Sequence, residues 1–162
     1  MEYTVQKLDA PPAWADSQRR SATKHPTHPT RAKVQGWEVK VLNNEANNVV
    51  STLKGHTNTI LSLRWHPQKS TIIATGSNDK CAKVWDISSG ECIVTLVGHT
   101  AGVLGMHWHP SKADIIATGS WDDTTKIWNT ATGECSATLT GHGHGHRHAN
   151  TTPQTMGGSS LG

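Results

Sequence analysis

GHTNTILSLRWHPQKSTIIATGSNDKCAKVWD, residues 55–86, returns 43 residues later as GHTAGVLGMHWHPSKADIIATGSWDDTTKIWN, residues 98–129. Aligned without gaps, residues 56–98 and 99–141 agree at 22 of 43 positions, so one structural unit is used twice. A third Gly-His stands one period further on, at Gly141-His142. Trp85 and Trp128 each follow their His by 29 residues. Repeats of this length bury their apolar faces by stacking on neighbours.

Within each unit, short runs rich in Val, Ile, Leu, Thr and Trp alternate with turn residues, which predicts strands. They fall near 60–65, 71–76, 82–86 and 92–97, and again near 103–108, 114–119, 125–129 and 135–140. Ser89-Gly90 and Thr132-Gly133 mark hairpin turns between the last two strands of each unit. The runs Ile72-Ile73-Ala74 and Ile115-Ile116-Ala117 suit strands covered on both faces. A Gly-His start, a Trp-Asp end and four strands are the pattern of one propeller blade.

Upstream, VLNNEANNVVSTLKGH (41–56) aligns without gaps to VWDISSGECIVTLVGH (84–99). That predicts a half blade over residues 36–55, with the last two strands at 37–42 and 48–53. Leu42 and Asn43 stand at the Trp and Asp positions, so the apolar residue is kept and the indole is lost. The complete units are residues 56–98 and 99–142. The expected fold is therefore all-β, a partial, open β-propeller of four-stranded antiparallel blades.

The two ends read differently. Residues 1–35 hold a basic segment with Lys7, Arg19, Arg20, Lys24, Arg31 and Lys33. Too few apolar side chains occur there, up to residue 33, to offset backbone entropy, and a disordered tail is expected. A short linear docking peptide or phosphorylation region is the other reading. Residues 143–162 are His, Gly, Ser and Thr with almost no core residues, and disorder is expected again. The net charge of +3 includes no dense basic block of the kind a dedicated nucleic-acid patch needs. No run of ~18 apolar residues calls for a membrane span. Glu2 and Asp9 without an apolar run predict no secretory signal.

Three cysteines, an odd number, argue against a disulfide framework and for an intracellular compartment, cytoplasmic or nuclear. Cys92 and Cys135 open the same strand of successive units in Gly-Glu-Cys strings, and buried structural thiols are expected.

Four positions recur in each unit: His56, Thr75, Asp79 and Trp85, then His99, Thr118, Asp122 and Trp128. A buried Trp needs an acceptor for its N–H. Thr accepts it and donates to one His nitrogen, and the other His nitrogen donates to the carboxylate. Every polar group is then satisfied, and the network tolerates burial. Over residues 36–142 the chain resembles the WD-repeat β-propeller family, in which these positions form such a chain. His, Thr and Asp together also invite a catalytic reading. Two copies at identical spacing point instead to a device each blade needs, so no catalytic residue and no cofactor is expected. No Gly-rich phosphate loop is present.

Two other histidine groups stand apart. In Trp65-His66-Pro67 and Trp108-His109-Pro110 the Pro stops the strand and His is read as a turn residue. His142, His144, His146 and His148 alternate with Gly or Arg and are weak metal-ligand candidates, because neutral imidazole takes Zn, Ni or Cu. A working site would need fixed geometry and supporting hydrogen bonds.

The resemblance implies a non-enzymatic scaffold or adaptor that docks a protein or peptide on a blade rim. In that family contacts come from the residue before the network Asp and from the start of the first strand. Here those are Asn78 and Trp121, then Thr59, Leu61, Gly102 and Leu104. Trp121 is the foremost, since rim aromatics make hot spots. Packing against a neighbouring blade is its alternative role. An RNA-associated subunit using the basic tail and rim Trp residues is the competing class, separable by its steep salt dependence. Two blades and a half fall short of the ~4 needed for a small ring. A fragment or truncated form of a longer propeller is expected. Self-association to complete a ring and completion against another propeller are the alternatives.

Overall fold

The computed structural model describes residues 29–141. They form eleven strands and no helix, in three antiparallel sheets. The first sheet holds β1 (Thr30–Gln35), β2 (Glu38–Asn43) and β3 (Val49–Leu53). The second holds β4 (Ile60–Trp65), β5 (Ile72–Ser77), β6 (Ala82–Asp86) and β7 (Glu91–Leu96). The third holds β8 (Val103–Trp108), β9 (Ile115–Ser120), β10 (Thr124–Asn129) and β11 (Cys135–Thr140). Strands follow sequence order in each sheet. The stack is an open one, a partial β-propeller.

Two cores hold the stack. Ala32, Val39, Val41 and Leu53 of the first sheet pack with Leu63, Trp65, Ile73 and Trp85 of the second. Ala74, Ala82, Val84 and Leu96, from the other face of the second sheet, pack with Val103, Met106, Ile116 and Trp128 of the third. The second sheet is thus covered on both faces. Each fully buried Val, Leu, Ile or Met side chain here contributes ~1.5–3 kcal/mol of transfer free energy.

Strand β1 corrects the expected boundary. Residues 30–35 are not tail, and the first sheet has three strands rather than two. Ala32 and Val34 alternate with Arg31 and Lys33, a period-2 pattern hidden by its brevity and by the surrounding polar residues. Gly36, at φ 61°, makes with Trp37 the two-residue turn that returns the chain, so that Gln35 faces Glu38. Ala32 lies opposite Val41 just as Ala74 lies opposite Val84. By this register β1 is the counterpart of β5, and among the described residues the first sheet has no counterpart of β4. The remaining residues of both expected tails lie outside the described residues.

Cys92 and Cys135 are exposed, not buried, which corrects the second expectation. They stand at the start of the outermost strands, β7 and β11, opposite Trp85 and Trp128 and beside the register shifts that precede each Trp. An edge strand at a bulge has no neighbour to cover a side chain there. Gly90 and Gly133 take left-handed φ values of 78° and 80° in the hairpin before these strands. Asn47 holds the same repeat position in the first sheet at φ 50°, as Asn tolerates this region better than most residues.

Candidate functional site

In the second sheet a hydrogen-bonded chain runs from the Trp to the Asp. The Trp85 indole N–H donates to Thr75 Oγ1 at 2.8 Å. Thr75 Oγ1 and His56 Nε2 are 2.8 Å apart, and His56 Nδ1 lies 2.7 Å from Asp79 Oδ2. The Trp has only a donor and the carboxylate only acceptors, so the hydroxyl donates to Nε2 and Nδ1 carries the ring proton. Asp79 Oδ2 also accepts the Thr57 N–H, and Oδ1 accepts the Cys81 N–H. The third sheet repeats the chain through Trp128, Thr118, His99 and Asp122, at 2.8 Å for each link. Thr124 stands where the second sheet has Cys81, and its hydroxyl adds a bond to Asp122 Oδ1 at 2.6 Å.

Burial sets the electrostatics. Desolvation lowers the His56 pKa below its ordinary value, against the opposing pull of Asp79. Burial raises the Asp79 carboxyl, but bonds from His56, Thr57 and Cys81 outweigh it and leave the pKa lowered. Asp122 is likewise lowered, as bonds from Thr124, Thr100 and His99 outweigh desolvation. With Thr75 and Thr118 fully buried, neither hydroxyl is open to a substrate. The arrangement suits a staple. It ties the loop at His56 to strands β5 and β6, and the loop at His99 to β9 and β10.

Gly55 and Gly98 are the close-approach points beneath these indoles. A Cβ on Gly98 would lie 3.1 Å from Trp128 Cη2, and one on Gly55 would lie 3.3 Å from Trp85 Cη2. Both also hold positive φ, 148° and 154°, so the Gly before each His is required twice over.

The rim residues fall into two groups. The Asn78 N–H donates to the Thr59 carbonyl at 2.9 Å, and Trp121 repeats the bond to Gly102 at 3.0 Å. Gly102 is buried between two side chains from different sheets. A Cβ there would lie 2.8 Å from Asn78 Oδ1 and 2.9 Å from Trp121 Cε3. Trp121 nevertheless remains 50% exposed. Asn78, Gly102 and Trp121 thus form one patch across the seam between the second and third sheets, with Thr59 beside Asn78. Leu61 and Leu104 sit elsewhere, at register shifts in the first strands of the second and third sheets, β4 and β8. Bulges re-aim side chains, and Leu104 is left 37% exposed while Leu61 is half-buried.

Two features escaped the sequence reading. His66 is a turn residue, accepting the Gln68 and Lys69 N–H groups at Nδ1, but it is also buried and donates from Nε2 to Ala113 O at 2.7 Å. Its ring therefore links the second sheet to the third. His109 caps the equivalent turn and remains partly exposed. The Trp-Asp end has a local task as well: Asp86, Asn129 and Asn43 each accept a backbone N–H in the following turn. An acceptor is all that turn needs, so Asn replaces Asp without loss.

Among the described residues no group of three or more His, Cys, Asp or Glu is placed to hold a metal. His142, His144, His146 and His148 lie outside the described residues. No helix of the described residues is long and apolar enough to cross a membrane.

Residues 47–86 and 90–129 match the family described as WD domain, G-beta repeat. Each matched segment joins the last strand of one sheet to the first three of the next, so the sequence repeat interlocks neighbouring sheets. THO complex subunit 3 of Arabidopsis thaliana is 48% identical over 40 residues, 25% of this chain and 13% of that protein. Nuclear distribution protein PAC1 of Candida tropicalis is 44% identical over 48 residues, 30% of this chain and 10% of that protein. Coronin-7 of Mus musculus is 34% identical over 61 residues, 36% of this chain and 7% of that protein. The chain spans between 7% and 13% of the length of these relatives. Through the two repeats of residues 47–129, the chain belongs to the WD-repeat family.

Proposed function

We propose that this chain is a non-enzymatic interaction scaffold whose docking site is the rim patch of Asn78, Gly102 and Trp121. The observation that carries the reading is Trp121, an indole half exposed yet held in place over Gly102. A rigid, partly desolvated aromatic loses little entropy on binding and makes a hot spot for a protein or peptide. Asn78 supplies an amide beside it for orientation and Thr59 extends the contact, while Leu61 and Leu104, at their separate register shifts, are secondary contact candidates. The buried His–Thr–Asp networks then serve stability alone. Three free thiols fit an intracellular setting, in cytoplasm or nucleus. The test is selection of a random peptide library on the full chain, with Trp121→Ala as counter-screen. Enriched peptides that bind the parent and not the variant support the rim. Peptides indifferent to Trp121, or none at all, oppose it.

An RNA-associated role is the second reading. It rests on Arg31, Lys33 and Lys40, which the β1–β2 register places on the face opposite the buried Ala32, Val39 and Val41. Binding of a single-stranded RNA through these groups would weaken steeply as salt rises, whereas apolar rim docking would not.

A further inference from the structure

Among the described residues, the stack has two uncovered flanks of opposite character. On the third sheet, Ala117, Gly119, Ile127 and Leu139 occupy the repeat positions of Ala74, Gly76, Val84 and Leu96. In the second sheet those four are covered by the third. A Cβ on Gly76 would lie 2.8 Å from Val103 Cγ1, whereas no atom of the described residues lies within 4 Å of one on Gly119. Ala117 and Ile127 are partly exposed and Leu139 is 49% exposed. The two cross-strand rows that contain these residues hold no Lys, Arg, Asp or Glu, and His107 is their one titratable group. This flank has the composition of an interface without the neighbour.

The free face of the first sheet is cationic. Lys33 stands directly opposite Lys40, with Arg31 one row along. Seating it on the third sheet of another copy would bury three cations against Ala117, Ile127 and Leu139, whose rows carry no acid, while Glu38, the acid on the cationic face, is already paired with Lys54. Head-to-tail ring closure is therefore opposed by charge. The apolar flank is complementary to itself, and a two-fold axis places it against its own copy.

We infer that the chain forms a two-fold dimer through the outer flank of the third sheet, around Ala117, Ile127 and Leu139. The first sheet stays outside the interface, and its cations remain solvated. The rim patch is on a separate surface and is presented twice.

Light scattering on the full chain, in reductant because Cys92 and Cys135 are exposed, tests this. At micromolar concentration the parent chain should show twice its 17.5 kDa mass. Leu139→Lys should return it to a monomer with unchanged far-ultraviolet circular dichroism, while Lys33→Glu should leave the dimer intact. Should Leu139→Lys misfold, Ala137→Lys, on the exposed outer strand in the same row as Ala117 and Ile127, replaces it. A parent monomer overturns the inference. So does a dimer that survives the lysine, or a larger assembly sensitive to Lys33→Glu, which would mark head-to-tail growth.

Discussion

The indole N–H of Trp85 ends on the hydroxyl of Thr75, 2.8 Å away, and both side chains are sealed from solvent. The same bond recurs between Trp128 and Thr118. Each hydroxyl gives its one proton to His and is sealed from solvent, so it is not available to a substrate. The network is a fold device, and its removal should be read in stability.

Asp79→Ala and Asp122→Ala each leave a buried His donor without its acceptor. Loss of stability of ~1–3 kcal/mol is expected for each. Urea denaturation measures it, and unchanged midpoints would reject the network as a stabilising element.

Acid should weaken the fold, beginning near neutrality. His56 and His66 are held below their ordinary 6.5, in both cases chiefly by burial. Below that value the unfolded chain binds protons that the folded chain refuses, so stability falls as pH drops. At His66 a proton on Nδ1 would also expel the two backbone N–H groups that this nitrogen accepts. Asp79 and Asp122, lowered from 3.8, extend the loss to more acid pH. Thermal melts from pH 7.5 to 5 should show a falling midpoint. A flat or rising profile would contradict the burial of neutral histidine.

Gly76 and Gly119 should respond differently to one methyl group. Gly76→Ala forces a Cβ to within 2.7 Å of Ser62 Oγ and 2.9 Å of Val103 O. Overpacking of this kind costs ~1–3 kcal/mol. Gly119→Ala meets no atom of the described residues and should leave the urea midpoint of the dilute chain unchanged. Equal effects would mean that the sheets do not pack as described.

The thiols should separate into two classes. Cys92 and Cys135 are exposed and should react fast with a maleimide in the native state. Cys81 is half-buried, and burial together with the Asp79 carboxylate raises its pKa, so it should react slowly until the chain unfolds. Mass spectrometry of a timed labelling series gives the answer. Early loss of Cys81 would contradict the placement of the Asp79 turn.

Most of the fold could be read because two copies of one pattern reinforce each other. Residues 56–98 and 99–141 identify the turns, strands and network residues by agreement, and the structure brings His56, Thr75, Asp79 and Trp85 together. Legibility failed where no second copy exists or where the copies share a misleading feature. Strand β1 lacks a repeat partner at the 43-residue offset, because its register against β2 is displaced by one residue from that of β5 against β6. Cys92 and Cys135 agree with each other yet lie on outer edges, and strand patterning says nothing about whether an edge is covered. The rim patch was half legible. Position singled out Asn78 and Trp121, but their convergence on Gly102 depends on how two sheets are juxtaposed.

Titration calorimetry with a library-selected peptide, run in parallel on Trp121→Ala and Asp79→Ala, tests most directly whether rim and network divide function from stability. Trp121→Ala should keep its melting temperature and lose roughly 2 kcal/mol or more of binding, the scale of a hot-spot residue. Asp79→Ala should melt earlier and, well below its transition, bind with the parent affinity. The reverse pattern, binding lost with Asp79 and kept without Trp121, would contradict the account.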